Sequence, residues 1–250
     1  ACVVLKTLKS ALLIFSVFSL PPKSSRSFVV KEPFVEKMKS SVEEMGNSEE
    51  VQNSVAAQLT QGLSGDEMIR HIEEIIELRL DELTPLLVKE MIGATRKIGV
   101  GPMASVAGAI AQYVCECLLS LSSHVIVENG GDICLKLNRP VTVSIFAGTS
   151  PLSERFGLSI PAKKMPMGIC SSSGTVGHSL SMGVADVVCI LSFSASMADG
   201  VATALGNQIK GKGDMEKAID RIQGLKEILG GVVIVKDKMA SWGDIELVRL

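Results

Sequence analysis

The hydrophobic period of the chain changes near Ser122, and this change limits the folds that the chain can adopt. Before Ser122, apolar side chains recur at helical spacing, whereas beyond it they recur mostly at alternate positions, as in strands. Helices first, strands in the middle and a mixed ending are typical of an α+β domain rather than of repeated βα units. We therefore predict an α+β fold, a single domain with helices packed on a mixed or antiparallel sheet.

Three helices are predicted before the change of period. The first covers SGDEMIRHIEEIIELRL, which has a cap signal and a helical apolar stripe. The second begins at Thr84-Pro85, a cap followed by a first-turn proline, and ends at Gly99. The third follows Gly101-Pro102 and covers MASVAGAIAQYVCECLLSL. Its small residues would allow another backbone or a ligand to approach closely.

Strands dominate the rest of the chain. VIVENGGDICLKL predicts a hairpin, and PVTVSIFAG, RFGLSIP, MGICSS and ADVVCILSF predict single strands. Helices are expected from Ser196 to Ile209 and from Asp214 to Leu229, before a closing hairpin formed by GVVIV and MASWGDIELVRL. We predict one domain over residues 65–250, preceded by a segment, 1–64, with a β-like run at Ser27–Lys31.

The first twenty residues allow two interpretations. Lys6 and Lys9 precede a mostly apolar run from Ala11 to Leu20, and Pro21-Pro22 follows, an arrangement typical of signal peptides. The run is too short and too interrupted by serine to cross a bilayer as a helix. We favour a buried strand pair or helix of the domain itself, and hence a cytoplasmic protein. Export is the alternative, if residues 1–20 are a signal segment.

Composition excludes nucleic acid as a partner. The net charge is −2, the pI is about 6.0, and the aromatic residues are seven Phe, one Trp and one Tyr, so neither a basic surface nor a stacking platform is expected. The six cysteines form no CxxC pair and only three histidines are present, which does not fit a zinc site. We interpret the thiols as reduced and structural, as in cytoplasmic proteins.

Two polar segments interrupt the strand region. Asn129, Gly130, Gly131 and Asp132 could line a ligand, although by themselves they are typical of a tight hairpin turn. SSSGTVGHS, residues 171–179, has five hydroxyls, two glycines and His178. Such a loop can cradle phosphate oxygens, with His178 as proton donor or acceptor. The alternative is a flexible Ser/Gly loop.

A third polar segment offers oxygen ligands for a metal. Asp199 and Thr203 are four residues apart and therefore share one face of the predicted helix. Together with a backbone carbonyl from elsewhere they would suit Mg²⁺, which binds oxygen and often bridges to substrate phosphates. The alternative is local: Asp199 caps the helix or complements its dipole, and Thr203 bonds back to the preceding turn.

An ordered set of motifs resembles the ApbE-like flavin transferase superfamily. The motifs are GAIA at 108–111, NGGDI at 129–133, SGT at 173–175 and ADGVATA at 198–204. The longer strings GVGPMASVAGAIA, VIVENGGDICLK, FAGTSPLS, SSSGTVGHSLS and WGDIELV look like its smaller, functionally uncharacterised branch. The resemblance covers roughly residues 82–250.

The resemblance implies an activity and a site. Characterised members are FAD:protein FMN transferases, which cleave FAD and place FMN on a Thr or Ser of an acceptor protein. By resemblance, Mg²⁺ would be held by Asp199, Thr203 and a backbone carbonyl near Ala109. Asn129, Gly130, Gly131 and Asp132 would line the flavin side, Ser173, Gly174 and Thr175 would lie near the nucleotide, and His178 would be the catalytic histidine.

The chain also departs from the transferase pattern. Gln112 stands where the transferases usually have Lys, and Val106 where they have Asp. The segment after His178 lacks the Asp-Pro element of the family. Loss of a cation and a carboxylate weakens phosphate neutralisation and acid–base assistance. Two alternatives therefore stand beside the enzyme: a non-catalytic module that binds flavin or another nucleotide, and an assembly role in which the Gly/Ala-rich helix forms a homo-oligomer interface.

Overall fold

A computed structural model describes residues 86–119, 122–176 and 182–250, together with the backbone of three strands at 2–5, 13–18 and 25–30. Its contacts divide the chain into two compact units. One unit comprises Ala1–Val30 and Glu90–Leu250, and the other comprises Lys31–Lys89. The predicted boundary at 64/65 and the predicted helix at 64–80 lie outside the described residues, so both remain predictions.

Eight strands form the larger sheet, and every pair of neighbours in it is antiparallel. Their order is β11-β10-β9-β8-β5-β4-β2-β3. The bounds are β2 Leu13–Phe18, β3 Ser25–Val30, β4 Val125–Asn129, β5 Asp132–Lys136, β8 Met167–Ser172, β9 Val187–Ser192, β10 Ile228–Val235 and β11 Lys238–Gly243.

Four strands form the smaller sheet, in the order β1-β6-β7-β12. They are β1 Cys2–Leu5, β6 Val141–Ile145, β7 Phe156–Ile160 and β12 Leu247–Arg249. β1 is parallel to β6, whereas the other two pairs are antiparallel.

Four α-helices lie in the described residues. They are α1 Leu86–Arg96, α2 Val106–Leu119, α3 Ala195–Gln208 and α4 Met215–Ile222. A 3-10 turn, Pro102–Ser105, leads directly into α2. α2 packs on β4 and β5, α3 packs on β8 and β9, and the two helices contact each other.

The main core lies between the two sheets. Alternate side chains of the larger sheet, such as Ile133 and Ile169, are buried together with Val143, Ile145 and Leu158 of the smaller sheet. Because neighbours along a strand point to opposite faces, the intervening residues of β5 and β8 face α2 and α3. The positions that face the helices include polar ones, and these form the candidate site.

The structure confirms the α+β class and the packing of helices on a mixed or antiparallel sheet. The hairpin at residues 125–136 forms as predicted, with Asn129 paired to Asp132 and positive φ at Gly130 and Gly131. β3 matches the β-like run at Ser27–Lys31, and strands rather than a helix lie at 2–5 and 13–18. The compartment remains a prediction.

Two expectations about the C-terminal part were wrong. The helix predicted over Asp214–Leu229 ends at Ile222, because Gly224 interrupts it and Ile228 already belongs to β10. The closing hairpin involves only β10 and β11. β12 leaves that sheet and pairs with β7 in the smaller one. Alternation predicts a strand but not its partner.

By length and composition, one described segment, Pro102–Leu119, is apolar enough to cross a membrane. This segment contains α2, whose Ala109, Ile110 and Cys115 are buried against the sheet and α3. Its apolar side is therefore part of the protein core.

Candidate functional site

The start of α3 is held by two side chains. The Ser194 hydroxyl is the N-cap and accepts a hydrogen bond from the Met197 amide at 3.1 Å. The Gln112 side-chain oxygen on α2 accepts from the Ala195 amide at 2.8 Å. Both oxygens satisfy amides that have no partner inside the helix. Since Ser194 is the cap, Asp199 does not cap this helix, whereas the alternative that it complements the helix dipole stays open.

Asp199 lies against the first turn of α2. Its Oδ2 accepts a hydrogen bond from the Gly108 amide at 2.9 Å, and the carboxylate is 7% exposed. Gly108 permits this approach because a Cβ at that position would overlap the Ala195 carbonyl and lie 2.7 Å from the Asp199 Cβ. The small residues of the GAIA motif therefore have a packing function here.

Thr203 contacts the 3-10 turn before α2, whereas Ala109 lies within α2. The Thr203 hydroxyl faces the Ala104 carbonyl at 3.5 Å, rather than bonding back along its own helix. Ala109 is fully buried on α2. The polar contacts that join α3 to the start of α2 use Gly108 and Ala104, so the Ala109 carbonyl as a metal ligand stays a prediction.

The β4–β5 hairpin lies beside these helices. The Asn129 amide donates to the Ala107 carbonyl at 3.1 Å, and Asp132 accepts from the Ser171 amide at 3.2 Å. The Ser171 hydroxyl donates to the Gly131 carbonyl at 3.1 Å. These bonds connect the hairpin to α2 and to β8. The NGGD and GAIA motifs, distant in sequence, are therefore adjacent in the fold.

Two buried carboxylates share this region. Burial raises the pKa of Asp199 to about 7, although the amides of Gly108 and Ala107 oppose the shift. Burial also raises the pKa of Asp132, and the negative charge of Asp199 raises it further. Within the described residues, neither carboxylate forms an ion pair with a lysine or arginine. Without a cation both carboxyl groups are therefore easily protonated, and a bound cation would favour their ionised forms.

The available donors suit a hard cation. Carboxylate, hydroxyl and carbonyl oxygens are the ligands that Mg²⁺ prefers. The described residues contain no group of three or more His, Cys, Asp or Glu side chains that could hold a metal. A metal here would therefore need the Thr203 hydroxyl, a backbone oxygen and ligand phosphates in addition to Asp199. The kinds of ligand atom present therefore fit a magnesium ion.

The Ser173–Thr175 segment forms a compact turn. The Ser173 hydroxyl accepts from the amides of Thr175 at 3.1 Å and Val176 at 2.9 Å, and the Gly174 amide donates to the Ala185 carbonyl at 2.8 Å. These three amides therefore already have acceptors in the protein. The side-chain hydroxyls, rather than the amides, are available to a ligand.

His178 lies outside the described residues, as does His71, and its catalytic role remains a prediction. The structure adds three contacts or properties that the sequence did not assign. Gln112 caps α3, Asp186 accepts a hydrogen bond from Thr175, and burial raises the pKa of Glu128 to about 7. A charged residue inside a strand pattern was the signal available for Glu128.

A separate groove of about 790 Å³ runs beside the start of α3. Its lining comes from α1, from the β9–α3 junction and from the loop before β10, and includes Lys97, Phe193, Met197 and Glu227. The Lys97–Glu227 ion pair spans 2.5 Å. None of the predicted site residues lines this groove.

The fold and the site define a class: an α+β protein whose buried carboxylates face a helix of small residues across the end of an antiparallel sheet. Within that class, the chain belongs to the family described as AbpE bacteria, whose model matches residues 37–227. This match confirms the resemblance to the ApbE-like superfamily that the motifs indicated.

Proteins named UPF0280 are similar to this chain. The UPF0280 protein of Methanocella arvoryzae is 43% identical over 160 residues, which cover 64% of this chain and 65% of that protein. The UPF0280 protein of Methanocaldococcus jannaschii is 39% identical over 176 residues, covering 68% of this chain and 71% of that protein. The chain thus spans about two thirds of the length of these relatives.

Solved structures show more distant likenesses. The flavin transferase ApbE from Vibrio cholerae is 21% identical, with a TM-score of 0.40 over 57% of this chain and 50% of that one. The apo form of Pseudomonas stutzeri flavinyl transferase ApbE is 13% identical, with a TM-score of 0.45 over 92% and 94%. Values this low do not transfer residue roles.

Proposed function

We propose that this protein is a Mg²⁺-dependent enzyme that cleaves FAD and transfers FMN to an acceptor protein. The observation that carries the proposal is the pair of buried carboxylates, Asp132 and Asp199, which have no cationic partner among the described residues. Family membership supplies the flavin chemistry. Burial raises the pKa of both groups, and a bound cation would offset the cost of ionising them.

Specific residues would hold the ligands. Asp199 and Thr203 would bind Mg²⁺, with the Ala109 carbonyl as the third protein ligand. The ion would neutralise charge on the FAD pyrophosphate. Asn129, Gly130, Gly131 and Asp132 would line the flavin, while Ser173, Gly174 and Thr175 would contact the nucleotide.

In this transfer a hydroxyl of the acceptor protein is the nucleophile. Its oxygen forms a bond to the FMN phosphorus, the bond from that phosphorus to the bridging oxygen breaks, and AMP leaves. His178 would accept the hydroxyl proton.

We also propose that the protein is cytoplasmic. That it forms a homo-oligomer remains a prediction, which measurements of its mass in solution would test.

The alternative is a module that binds flavin or another nucleotide without reaction, and Gln112 favours it. The transferases usually have Lys at this position, whereas the Gln112 side chain caps α3 and donates to Glu116 at 3.0 Å. A neutral side chain engaged in this way supplies no positive charge to a phosphate. On this alternative, FAD binds and no product forms.

Chromatography of the reaction products tests the proposal. Purified protein is incubated with FAD and Mg²⁺, with and without chelator, and AMP and FMN are measured. The enzyme predicts metal-dependent AMP release that Asp199→Ala abolishes and that Asp220→Ala, an exposed change on α4, leaves intact.

Calorimetric titration of FAD separates the remaining outcomes. FAD binding without AMP release, even with candidate acceptor proteins present, would favour the binding module. If FAD neither binds nor reacts, both functions are wrong.

A further inference from the structure

Asp186 lies where three loops meet and has no role in the site described above. The carboxylate is 6% exposed at the start of β9. Its Oδ1 accepts a hydrogen bond from the Thr175 hydroxyl at 3.1 Å, and its Oδ2 accepts from the Lys236 amide at 2.5 Å. The Ser150 hydroxyl donates to the Lys236 carbonyl at 2.5 Å.

This network ties the FAGTSPLS motif to the SGT turn. Gly148, at φ +55°, packs against the side chains of Val176 and Thr175. Ser150 therefore binds the backbone carbonyl of Lys236, and Asp186 binds its backbone amide. Lys236 lies in the β10–β11 turn and has a φ of +57°. The FAGTSPLS motif, to which the sequence assigns no chemistry, therefore braces the loop that carries Thr175.

The hydrogen-bond partners of Thr175 determine where its hydroxyl hydrogen points. A carboxylate only accepts hydrogen bonds, so the single Thr175 hydroxyl hydrogen points to Asp186. A hydroxyl has two lone pairs, and the Ser173 hydroxyl, 3.4 Å away, can occupy one of them. Thr175 is exposed, so a ligand can reach it and donate to the other lone pair.

We propose that Asp186 is a positioning residue that holds the Thr175 hydroxyl as a hydrogen-bond acceptor, so that the SGT turn selects a ligand group with an O–H or N–H rather than a phosphate oxygen. Phosphate oxygens without protons cannot donate to Thr175. The amides of residues 174–176 already have protein acceptors and offer phosphate no alternative. The inference rests on the proposed function, in which a dinucleotide binds at this turn.

The donors that a flavin dinucleotide offers are its sugar hydroxyls, the flavin ring N–H and the adenine amino group. The SGT turn would therefore contact the sugar or ring part of FAD. Its phosphates would lie elsewhere, on the Asp199 side of the site. This assignment differs from a phosphate-cradling role for the turn, which the density of hydroxyls alone favoured.

Calorimetric titration with two probes tests the inference: FAD, and inorganic pyrophosphate, each with Mg²⁺. Thr175→Val keeps the shape and removes the hydroxyl. We expect it to weaken FAD binding by about threefold to tenfold, the usual range for one hydrogen bond. The affinity of Thr175→Val for pyrophosphate should stay within about twofold of that of the unsubstituted protein. Thr175→Ser, which keeps the hydroxyl, should bind FAD as the unsubstituted protein does.

Asp186→Asn tests whether Asp186 acts through Thr175. In this variant the Asn NH2 group would face the Thr175 hydroxyl hydrogen, which it cannot accept, so the hydroxyl loses its orientation and FAD binding should weaken. In the double variant this effect should not add to that of Thr175→Val. Ser150→Ala is the matched control, because it removes the other bond to Lys236 and leaves the Thr175–Asp186 bond in place.

Three outcomes would overturn this inference and leave the proposed function standing. The first is unchanged FAD affinity in Thr175→Val, and the second is an equal loss of affinity for FAD and for pyrophosphate. The third is full additivity of the effects of Asp186→Asn and Thr175→Val on FAD affinity. Thermal unfolding of each variant separates lost binding from lost structure. If the unsubstituted protein binds no FAD, the proposed function fails first and the inference fails with it.

Discussion

The Gln112 side-chain oxygen accepts a hydrogen bond from the backbone amide of Ala195, 83 residues further along the chain, at 2.8 Å. The same oxygen lies 3.4 Å from the Ser196 amide. Gln112 therefore caps a helix that it does not belong to and fixes α3 against α2. Asp199 is one turn further along α3, so this cap also sets the position of the carboxylate.

Replacing Gln112 should destabilise the protein through the lost cap. We expect Gln112→Ala to lower the free energy of unfolding by about 1 kcal/mol, as for other helix caps. Gln112→Lys should destabilise as well, because an ammonium group cannot accept a hydrogen bond and repels the positive end of the helix dipole. Urea unfolding measures both changes. Gln223→Ala, an exposed glutamine, is the control and should change stability by less than about 0.5 kcal/mol.

Two glycine-to-alanine changes should have opposite signs. Gly108→Ala places a methyl group against the Ala195 carbonyl and Asp199, and we expect a loss of about 1–3 kcal/mol from overpacking. Gly93, inside α1, has no atom within 4 Å of an added Cβ. Gly93→Ala should stabilise the protein by about 0.5–1 kcal/mol. Equal effects in thermal unfolding would contradict the close contact between α2 and α3.

Stability without metal should depend on pH through Asp199. Burial raises its pKa to about 7 in the folded protein, whereas an unfolded Asp titrates near about 3.9. The folded state therefore binds more protons between these values, and stability falls as pH rises through that window. Asp199→Asn removes this contribution, so the free energy of unfolding should change less between pH 4.5 and 8. The reduction should be at most a few kcal/mol, which is the size that a pKa raised to about 7 implies. Urea unfolding in chelator from pH 4.5 to 8 measures the slope. An identical slope in the variant would contradict the prediction.

Mg²⁺ should stabilise the unsubstituted protein by mass action. A ligand at 100 times its Kd adds about 2.7 kcal/mol when it binds only the folded state. We expect Mg²⁺ together with FAD to raise the Tm more than FAD alone, and Asp199→Ala to abolish that extra shift. Asp220→Ala should retain it. A magnesium-dependent shift that persists in Asp199→Ala would place the metal elsewhere.

Thiol reactivity should follow burial. Of the five described cysteines, Cys117 is exposed, and Cys115, Cys134, Cys170 and Cys189 are buried. Burial raises the pKa of Cys170 and raises that of Cys189 to about 12, which leaves almost no thiolate to react. Brief treatment with a maleimide followed by mass spectrometry of peptides should find modification of Cys117 and protection of these four. Rapid labelling of Cys170 would contradict the packing of β8 against α3.

Local patterns predicted much of the fold. The alternating residues of VIVENGGDICLKL and the paired glycines at its centre determine a hairpin, because the strand period and the turn conformation are set by neighbours in sequence. The four-residue spacing of Asp199 and Thr203 likewise places both on one helix face. Asp199 contacts α2 at Gly108, and Thr203 contacts Ala104 in the 3-10 turn before it. The ordered motifs identified the family, which the family match confirms.

The partners of those elements came only from the tertiary structure. No local pattern tells that β12 joins β7, that Gln112 caps α3, or that Asp186 connects Thr175 to Lys236. Periodicity records which face of a helix or strand is buried, but not which of several similar faces covers it. Hydrogen bonds between residues 50 or more positions apart depend on that choice. The sequence by itself therefore determined most of the elements, the family and the candidate residues, and the packing of α2, α3 and the hairpin decided which of them meet.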